Sequence, residues 1–363
     1  MPDYDSEIKA LEDEISKTKY NKKTQYHVGL TKAKIAKLKE RKEAGSKGKR
    51  REGYDVRKTG DGTVILVGFP SVGKSTLLND LTNAESKTAA YEFTTLTVVP
   101  GIMEYNDAKI QILDVPGIVR GAAAGTGRGK EVLAVMRSAD LAILLIDVNI
   151  PEQHEWLIKE IYDANLRLNQ RKPDVTIKKT ARGGVRIAST VKLTKTDLPT
   201  IKAVFNELKI NNADVVIRTD IDIDELIDVI SGNRKYIPGI IVVNKIDTVS
   251  EEIVEKVIKK LNADLAISAK NKTYIERLKD LIFEKLDLIR LYLKEPGKEA
   301  DMNVPLIISR HSTIENVCSK LHKDFVAKFK FARVWGKSSK FPGQKLMLNH
   351  KLLDKDILEI HLR

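Results

Sequence analysis

The sequence has little of what an oxidising compartment, a membrane or a zinc site would require. Its 363 residues include one cysteine, Cys318, which cannot form an intrachain disulfide. Six histidines are scattered along the chain and suggest no zinc site. Apolar runs such as 141–146 are too short to span a bilayer, and the first residues do not resemble a signal peptide. We therefore expect a cytoplasmic protein without membrane insertion.

Positive charge is in excess, and most of the excess lies near the N-terminus. The formal net charge is +13, from 63 Lys+Arg and 50 Asp+Glu. Between Ser16 and Arg51 there are 14 Lys or Arg and two Glu, in a segment whose apolar residues recur near helical spacing. Concentrated charge of one sign favours a polyanionic partner, above all nucleic acid. A solvated helix pair is the alternative interpretation.

The order of apolar segments predicts an α/β protein of several domains. From Thr63 onwards, short and nearly continuous apolar segments alternate with amphipathic helices, as in parallel sheets buried on both faces. This pattern predicts a doubly wound α/β domain over residues 61–166 and 237–295. Residues 167–236 interrupt it and predict a small inserted α+β domain, mostly antiparallel and folded onto the main sheet.

Two further segments flank this α/β domain. Residues 1–60 are predicted to form a basic helical segment. Residues 301–363 predict a β-grasp domain of mixed strands with one helix, which Ser312 and Glu315 would cap as a capping box. The region 323–345 also carries seven Lys or Arg and one Asp among aromatic residues. We expect the aromatic residues to be mostly core and the charges to bind phosphates; the aromatic residues are Phe325, Phe329, Phe331, Trp335 and Phe341.

A phosphate-binding pattern begins at Gly68. Residues 68–75 match G-x-x-x-x-G-K-[ST] between a predicted strand and a predicted helix. The glycines allow backbone N–H groups to surround a β-phosphate, and the helix N-terminus adds partial positive charge. In this pattern Lys74 reaches the β/γ oxygens and Ser75 ligates Mg²⁺. The predicted nucleotide-binding residues here are Gly68, Phe69, Pro70, Ser71, Val72, Gly73, Lys74, Ser75 and Thr76.

A second motif, D-x-x-G, follows the strand that ends at Asp114. Its residues are Asp114, Val115, Pro116 and Gly117. Asp114 is predicted to hold magnesium through water, and the Gly117 N–H to meet the γ-phosphate. Between the two motifs, residues 91–95 supply hydroxyls where a loop would close over the metal, and we favour Thr95 over Thr94 as ligand. The predicted catalytic residues are Lys74, Thr95 and Gly117.

A third motif predicts how the base is read. Asn244, Lys245, Ile246 and Asp247 follow an apolar strand, and the Asp247 carboxylate can accept from both N1–H and the amine of guanine. Adenine would leave that carboxylate unpaired, so we expect guanine nucleotides to be preferred over adenine nucleotides by a factor of roughly 10⁴. Lys245 can lie along the base, and Asn244 can brace the loop. Ser268, Ala269 and Lys270 end the next strand, and their backbone can donate to the guanine O6.

Together these motifs resemble the developmentally regulated GTP-binding protein (DRG) family, in the Obg-related branch of translation-factor-type GTPases. The resemblance rests on GFPSVGKSTLLN, AAYEFTTLTVVPG, the glycine-rich segment from Asp114 to Leu141, and the late NKID. It covers essentially the whole chain, including the long insertion and a C-terminal TGS-type β-grasp domain. It implies GTP and GDP binding, slow magnesium-dependent hydrolysis, association with ribosomes or rRNA during translation, and a regulatory partner protein.

Two residues depart from related GTPases. Ile118 stands after Gly117, where Ras-like enzymes place a water-orienting Gln, so intrinsic hydrolysis should be slow or use another group. Ser71 stands where potassium-activated relatives often carry Asn, although the resemblance still implies potassium stimulation. The leading hypothesis is a GTP-hydrolysing switch acting on the translation apparatus. The alternative is an RNA- or ribosome-binding adaptor in which GTP mainly fixes the conformation. A third hypothesis, an ATPase, is disfavoured because the guanine-selecting motif that ends at Asp247 is intact.

Overall fold

The computed structural model describes residues 4–19, 21–45, 60–82, 99–115 and 135–363. The chain divides into two compact units. The main unit comprises Tyr54–Asn169 and Ile237–Arg363, and the insertion unit comprises Met1–Gly53 and Gln170–Tyr236. Two short strands, β5 (Leu166–Leu168) and β9 (Lys235–Ile237), stand on either side of the inserted residues in the sequence.

A six-stranded sheet forms the centre of the main unit, in the order β11-β10-β4-β1-β3-β2. Four of its strand pairs are parallel, and β2 joins β3 antiparallel at one edge. Its strands are β1 (Gly62–Val67), β2 (Val99–Tyr105), β3 (Ala108–Asp114), β4 (Leu141–Asp147), β10 (Gly239–Asn244) and β11 (Leu265–Ala266). Every residue of β1 and β4 is buried, as the continuous apolar runs predict for strands covered on both faces.

Helices pack on both faces of this sheet, so the predicted doubly wound α/β fold is confirmed. On one face lie α4 (Gln153–Asp163) and α7 (Glu251–Leu261), which contribute Leu157, Ile161 and Val257 to the core. On the other face lie α3 (Lys74–Leu81) and α8 (Ile275–Leu286), with Leu77, Leu278 and Ile282 buried. Within the described part of the chain, no helix is both long and apolar enough to cross a membrane.

The C-terminal part of the main unit is a mixed five-stranded sheet, ordered β13-β12-β16-β14-β15. Its strands are β12 (Leu288–Leu293), β13 (Leu306–Ser309), β14 (Phe329–Trp335), β15 (Gln344–Leu346) and β16 (Asp356–Leu362). Strands β12 and β16 run parallel, and the other pairs are antiparallel. The sheet begins with β12 at Leu288, which is before residue 301. Helix α8 ends at Asp287, whose left-handed conformation (φ 51°) leads directly into β12.

The helices of this part, α9 (Ile314–Leu321) and α10 (Lys323–Lys328), lie against one face of the sheet. The predicted capping by Ser312 and Glu315 is one residue too early. The N-cap is Thr313, whose N–H donates to Asn316 Oδ1 at 2.8 Å, because Ser312 still belongs to the preceding turn. Cys318 is buried in this core.

The aromatic residues of 323–345 divide into two groups. Phe325 and Phe329 belong to the core between the helices and the sheet. The prediction of a mostly core location is wrong for Phe331 and Trp335, which lie on the opposite face of β14, and for Phe341, which is 59% exposed. The cause is the period-two alternation of the strand, in which Ala332 and Val334 are the residues that face the core.

The insertion unit combines the two N-terminal helices with the inserted residues. The helices are α1 (Tyr4–Lys17), α2 (Gln25–Gly45), α5 (Leu198–Glu207) and α6 (Ile223–Ser231); the strands are β6 (Val175–Lys179), β7 (Val185–Ser189) and β8 (Ala213–Ile217). The sheet order is β6-β8-β7, with one antiparallel and one parallel pair rather than mostly antiparallel pairs. Because α5 lies between β7 and β8 in the chain, it provides the crossover that a parallel pair needs.

The core of this unit shows that α2 is part of a folded body. Ala33 of α2 is fully buried with Phe205 of α5 and Leu226 of α6. A second small cluster joins Ile8 of α1 to Ile35 on α2. The inserted strands thus have a core of their own, which they share with α2.

Candidate nucleotide-binding site

The predicted phosphate loop connects β1 to α3, as its sequence pattern requires. Lys74, the first residue of α3, is only 8% exposed, and its Nζ donates to the carbonyl oxygens of Gly68 at 3.2 Å and Phe69 at 3.0 Å. Burial lowers the pKa of Lys74 below its ordinary value, although the nearby Asp114 carboxylate opposes that shift. The loop therefore curls around the lysine amine, with the N-terminus of α3 behind it.

Two glycines of this loop occupy places where no larger residue fits. A Cβ on Gly68 would lie 2.7 Å from the carbonyl oxygen of Leu145, a residue of the adjacent strand β4. Gly73 has a φ of 101°, and a Cβ there would lie 2.5 Å from Nδ2 of Asn244. The glycine spacing of the motif is thus needed both for the turn and for the close approach of Asn244.

Ser75 and Asp114 meet beside the phosphate loop. Ser75 Oγ donates to Asp114 Oδ2 at 2.7 Å, which joins the start of α3 to the end of β3. The other oxygen, Asp114 Oδ1, is buried and has no hydrogen-bond partner among the described residues. A hydroxyl beside an under-satisfied carboxylate is a set of oxygen donors that suits a magnesium ion. The residues present therefore fit this metal.

Asn244 links the three loops of the site. Its Nδ2 donates to the Val72 carbonyl oxygen at 2.9 Å, and its Oδ1 accepts from the Ala269 N–H at 3.0 Å. Asn244 is 2% exposed, so both bonds are shielded from water. The phosphate loop and the loop at 268–270 are consequently held together from the carboxyl end of β10.

The carboxylate predicted to read the base, Asp247, is held by the next loop. Ser268 Oγ donates to Asp247 Oδ1 at 2.6 Å and accepts from the Asn271 N–H at 3.1 Å. Ser268 is 1% exposed, whereas Asp247 is exposed. One oxygen of the carboxylate is thus oriented by a buried hydroxyl, which leaves the other towards solvent for a ligand.

Two residues that the sequence analysis missed complete this region. Asp147, at the end of β4, accepts from Lys245 Nζ at 2.7 Å through Oδ2, and its Oδ1 accepts from the backbone and side-chain N–H groups of Asn149, both at 2.9 Å. Asn149 Nδ2 also donates to Thr248 Oγ1 at 3.0 Å, and that hydroxyl donates to the Lys245 carbonyl at 2.8 Å. Together they form a closed polar ring around Lys245.

The electrostatics of Asp147 follow from this ring. Burial raises the pKa of Asp147, but the hydrogen bonds from Lys245 and Asn149 outweigh it, and the pKa lies below its ordinary value. The sequence signal was an acidic residue at the carboxyl end of a strand, next to the strand that precedes the phosphate loop.

The structure brings most of the predicted site residues to one edge of the main sheet. Strands β1, β3, β4 and β10 run parallel, so their carboxyl ends meet at the phosphate loop, Asp114, Asp147 and Asn244. Phe69 also contacts Trp156 of α4 edge to face, with ring centroids 6.3 Å apart. Three predicted site residues lie outside the described residues, namely Thr95, Pro116 and Gly117, and so do the alternative ligand Thr94 and the neighbouring Ile118.

Comparison with protein families divides the chain into three matched regions. Residues 63–179 match "50S ribosome-binding GTPase", residues 182–288 match "C-terminal region of MMR_HSR1 domain", and residues 289–362 match the TGS domain. The last match begins at the start of β12, in agreement with the sheet described above. A P-loop GTPase domain followed by a TGS domain is therefore shown.

Several relatives match over almost the whole chain. An uncharacterised GTP-binding protein of Methanocaldococcus jannaschii is 52% identical, covering 99% of this chain and 93% of its own. Developmentally-regulated G-protein 3 of Arabidopsis thaliana is 45% identical, and human developmentally-regulated GTP-binding protein 2 is 43% identical. Each covers 97% of this chain, which spans 97% and 98% of their lengths. The chain belongs to the family of developmentally regulated GTP-binding proteins.

Proposed function

We propose that this protein slowly hydrolyses GTP to GDP and phosphate, with magnesium, as a switch that associates with ribosomes. The observation that carries the proposal is the pair of hydrogen bonds made by the Asn244 side chain. One is to Val72 in the phosphate loop, and the other is to Ala269 in the loop beside Asp247. A phosphate site and a guanine-reading site held at a fixed separation suit one nucleotide that bridges them.

The roles of the site residues follow from their contacts. Lys74 would exchange its bonds to the Gly68 and Phe69 carbonyls for the phosphate oxygens. Ser75 would ligate magnesium directly and Asp114 through water, and the bound ion would neutralise the charge of the β- and γ-phosphates. Asp247, oriented by Ser268, would accept both N–H groups of the guanine edge. Thr95 and Gly117 are proposed to complete the γ-phosphate side.

Slow turnover is expected from the sequence after Gly117. Ile118 has no polar atom with which to orient the attacking water, so hydrolysis lacks the Gln that Ras-like enzymes use. Potassium stimulation is part of the proposal through family resemblance, with Ser71 in place of the usual Asn. A regulatory partner protein belongs to the same expectation.

Ribosome association is supported by charge and by family. The formal net charge of +13 favours binding to rRNA, and the matched family is described as ribosome-binding. The description belongs to that family model, and its application to this chain is our proposal.

The test is GTP turnover with and without purified ribosomes, in potassium and in sodium buffers. We expect slow basal turnover that ribosomes change and that potassium raises. Ser75→Ala is the matched inactive variant, because it removes the hydroxyl that joins Asp114 without altering the buried face of α3. Wild-type turnover in Ser75→Ala would contradict the assigned site. Tight ribosome binding with turnover that ribosomes leave unchanged would favour the adaptor in which GTP mainly fixes the conformation.

A further inference from the structure

One face of the C-terminal sheet carries aromatic rings among cations and has no role in the nucleotide site. It lies opposite the face that packs on α9 and α10, and it is formed by alternate residues of neighbouring strands. We call it the aromatic face and define it by Lys294, Phe331, Arg333, Trp335, Lys345, Glu359 and His361. Its intervening neighbours Ala332, Val334 and Leu358 belong to the core, which fixes the direction of the others.

A single buried carboxylate organises the cations of this face. Glu359, with a side chain 3% exposed, is 3.0 Å from Lys294 Nζ, 3.9 Å from Arg333 Nη1 and 2.6 Å from His361 Nε2. Burial raises the pKa of Glu359, but Lys294 and His361 outweigh it and hold the pKa below its ordinary value. One negative charge therefore orders three basic side chains, and the face keeps a positive balance.

The rings lie within reach of the same cations. Phe331 stacks on His361 with centroids 4.3 Å apart and an interplanar angle of 21°, and Lys345 Nζ is 4.8 Å from the Phe331 centroid. Lys294 Nζ is 4.6 Å from the Trp335 ring. Phe331 and Trp335 are half-buried rather than enclosed in the core. Rings and cations side by side are what a base and its phosphate require of a protein surface.

We propose that the aromatic face binds an unpaired RNA strand, with bases stacking on Trp335 and on the Phe331–His361 pair while Lys345 and Arg333 contact phosphates. The proposal rests on the ribosome association proposed above and names the class of RNA and the surface that would take it. Duplex RNA is expected to bind the aromatic face more weakly, because each base of a duplex is stacked between its neighbours and cannot stack on a protein ring. An acidic peptide could pair with the cations, but its carboxylates would make no stacking contact with the two aromatic rings.

The experiment measures binding of the full-length chain to two fluorescein-labelled probes by anisotropy. One probe is a 12-nucleotide RNA without self-complementarity, and the other is the 12-base-pair duplex that contains it. We expect Phe331→Leu and Trp335→Leu each to weaken single-strand binding about fivefold to tenfold while leaving duplex binding unchanged. Phe331→Tyr and Trp335→Phe keep a ring and should retain the wild-type affinity, whether or not the leucine variants fold normally.

Two further variants separate stacking from general charge and exposure. Lys345→Gln should lower the log–log salt slope for the single strand by about 0.7, which is the contribution of one neutralised phosphate. Phe341→Leu, the matched control, removes an exposed aromatic ring of the same domain outside the aromatic face and should leave binding unchanged. An equal loss in Phe341→Leu, or equal losses for single strand and duplex in the leucine variants, would overturn the proposal.

Ribosome co-sedimentation distinguishes this proposal from the one on which it rests. If wild type sediments with ribosomes but the leucine variants bind the single strand as well as wild type, the aromatic face is wrongly assigned and the ribosome proposal stands. If wild type binds no ribosomes, the ribosome proposal fails first. A third outcome would favour an acidic protein as the partner. In that case polyglutamate displaces the single strand, and the leucine variants bind both polyglutamate and RNA as well as wild type does. The rings would then be unnecessary for binding, and the RNA proposal would be wrong.

Discussion

Lys245 is held in place by a side chain 98 residues away in the sequence. Its backbone adopts a left-handed conformation with φ 66°, so its amine turns to Asp147 at the end of β4. Asp147 is 8% exposed and itself fixed by Asn149, which makes the ion pair more rigid than a surface pair. We therefore propose Asp147 as a positioning residue, which would keep the lysine stem where the base would lie along it.

We predict that Asp147→Asn accelerates release of GTP about fivefold to thirtyfold. The reason is the loss of a charge-assisted hydrogen bond worth about 1–2 kcal/mol, which frees the Lys245 side chain. Inosine triphosphate should be released faster by the same factor, because the lysine stem lies along the base without reading its edge. The measurement is stopped-flow release of fluorescent GTP and ITP analogues in wild type, Asp147→Asn, Lys245→Met and the double variant.

The double variant decides between positioning and general loosening. In the Lys245→Met background, Asp147→Asn should have no further effect on release. Asp140→Asn is the matched control at the opposite end of β4, where the carboxylate accepts from the Thr63 N–H at 3.0 Å, far from the site. It should release both nucleotides at the wild-type rate. A full effect of Asp147→Asn in the Lys245→Met background would contradict the positioning role.

At the residue scale, the sequence predicted those site residues that belong to short motifs with a fixed spacing. Lys74, Ser75 and Asp114 belong to short motifs, and the structure brings them together. Asp147 and Asn149 could not be predicted in the same way, because their role exists only through a contact with Lys245 on another strand. A single acidic residue after an apolar strand is common, and the partner that gives it a role lies far away in sequence.

At the scale of secondary-structure elements, α2 and α5 approach closely at one glycine. A Cβ added to Gly29 would lie 2.9 Å from Thr200 Cγ2 and 3.3 Å from Ile223 Cδ1. Thr200 is completely buried, and its branched side chain has little freedom to move away. Glycine therefore serves helix packing here, at the expense of helix propensity.

We predict that Gly29→Ala lowers the free energy of unfolding by about 1 kcal/mol, despite the better helix propensity of alanine. Overpacking costs about 1–3 kcal/mol, and the propensity gain of about 1 kcal/mol offsets only part of it. Urea unfolding, followed by circular dichroism, measures the change. Adding Thr200→Ser removes the obstructing methyl group and should restore stability to the wild-type value or above. If the double variant stays as unstable as Gly29→Ala, the close approach is not the cause.

The elements themselves were largely predictable, but their partners were not. Continuous apolar runs identified β1, β4 and β10, since a parallel sheet buried on both faces leaves that pattern. In the insertion, β6 and β7 are short and half-exposed, so their sequences do not specify which strand lies between them. The central position of β8 comes from the packing of α5 and α6 and is a tertiary effect.

At the scale of the whole molecule, the N-terminal positive charge is partly used inside the fold. Lys32 pairs with Asp224 at 2.5 Å and Lys37 with Glu207 at 2.8 Å, both within the insertion unit. These lysines hold α2 on the inserted helices and are not free for phosphates. Deleting the segment would also expose the core around Ala33, so deletion alone cannot separate folding from binding.

The remaining charges of the segment allow a sharper prediction. Lys22, Lys23, Lys34 and Arg41 are among the exposed cations that have no ion pair within the described ranges. Replacing all four by Gln should weaken ribosome binding and lower its log–log salt slope by about two to three, because each phosphate neutralised adds nearly one unit. GTP binding should stay unchanged, since all four belong to the insertion unit. Co-sedimentation with ribosomes over a range of salt concentrations measures the slope.

The matched control neutralises two lysines that already have partners on α1. Lys39 is 3.2 Å from Glu12 and Lys42 is 2.5 Å from Asp5. Replacing both by Gln removes a similar kind of charge from the same helix, but these charges are already balanced by carboxylates. We therefore expect little change in the salt slope and a small loss of stability, about 0.2–1 kcal/mol for each exposed pair. If the paired set lowers the slope as much per charge as the unpaired set, ribosome binding follows total charge alone, and the exposed cations of α1–α2 do not form a specific phosphate-binding surface.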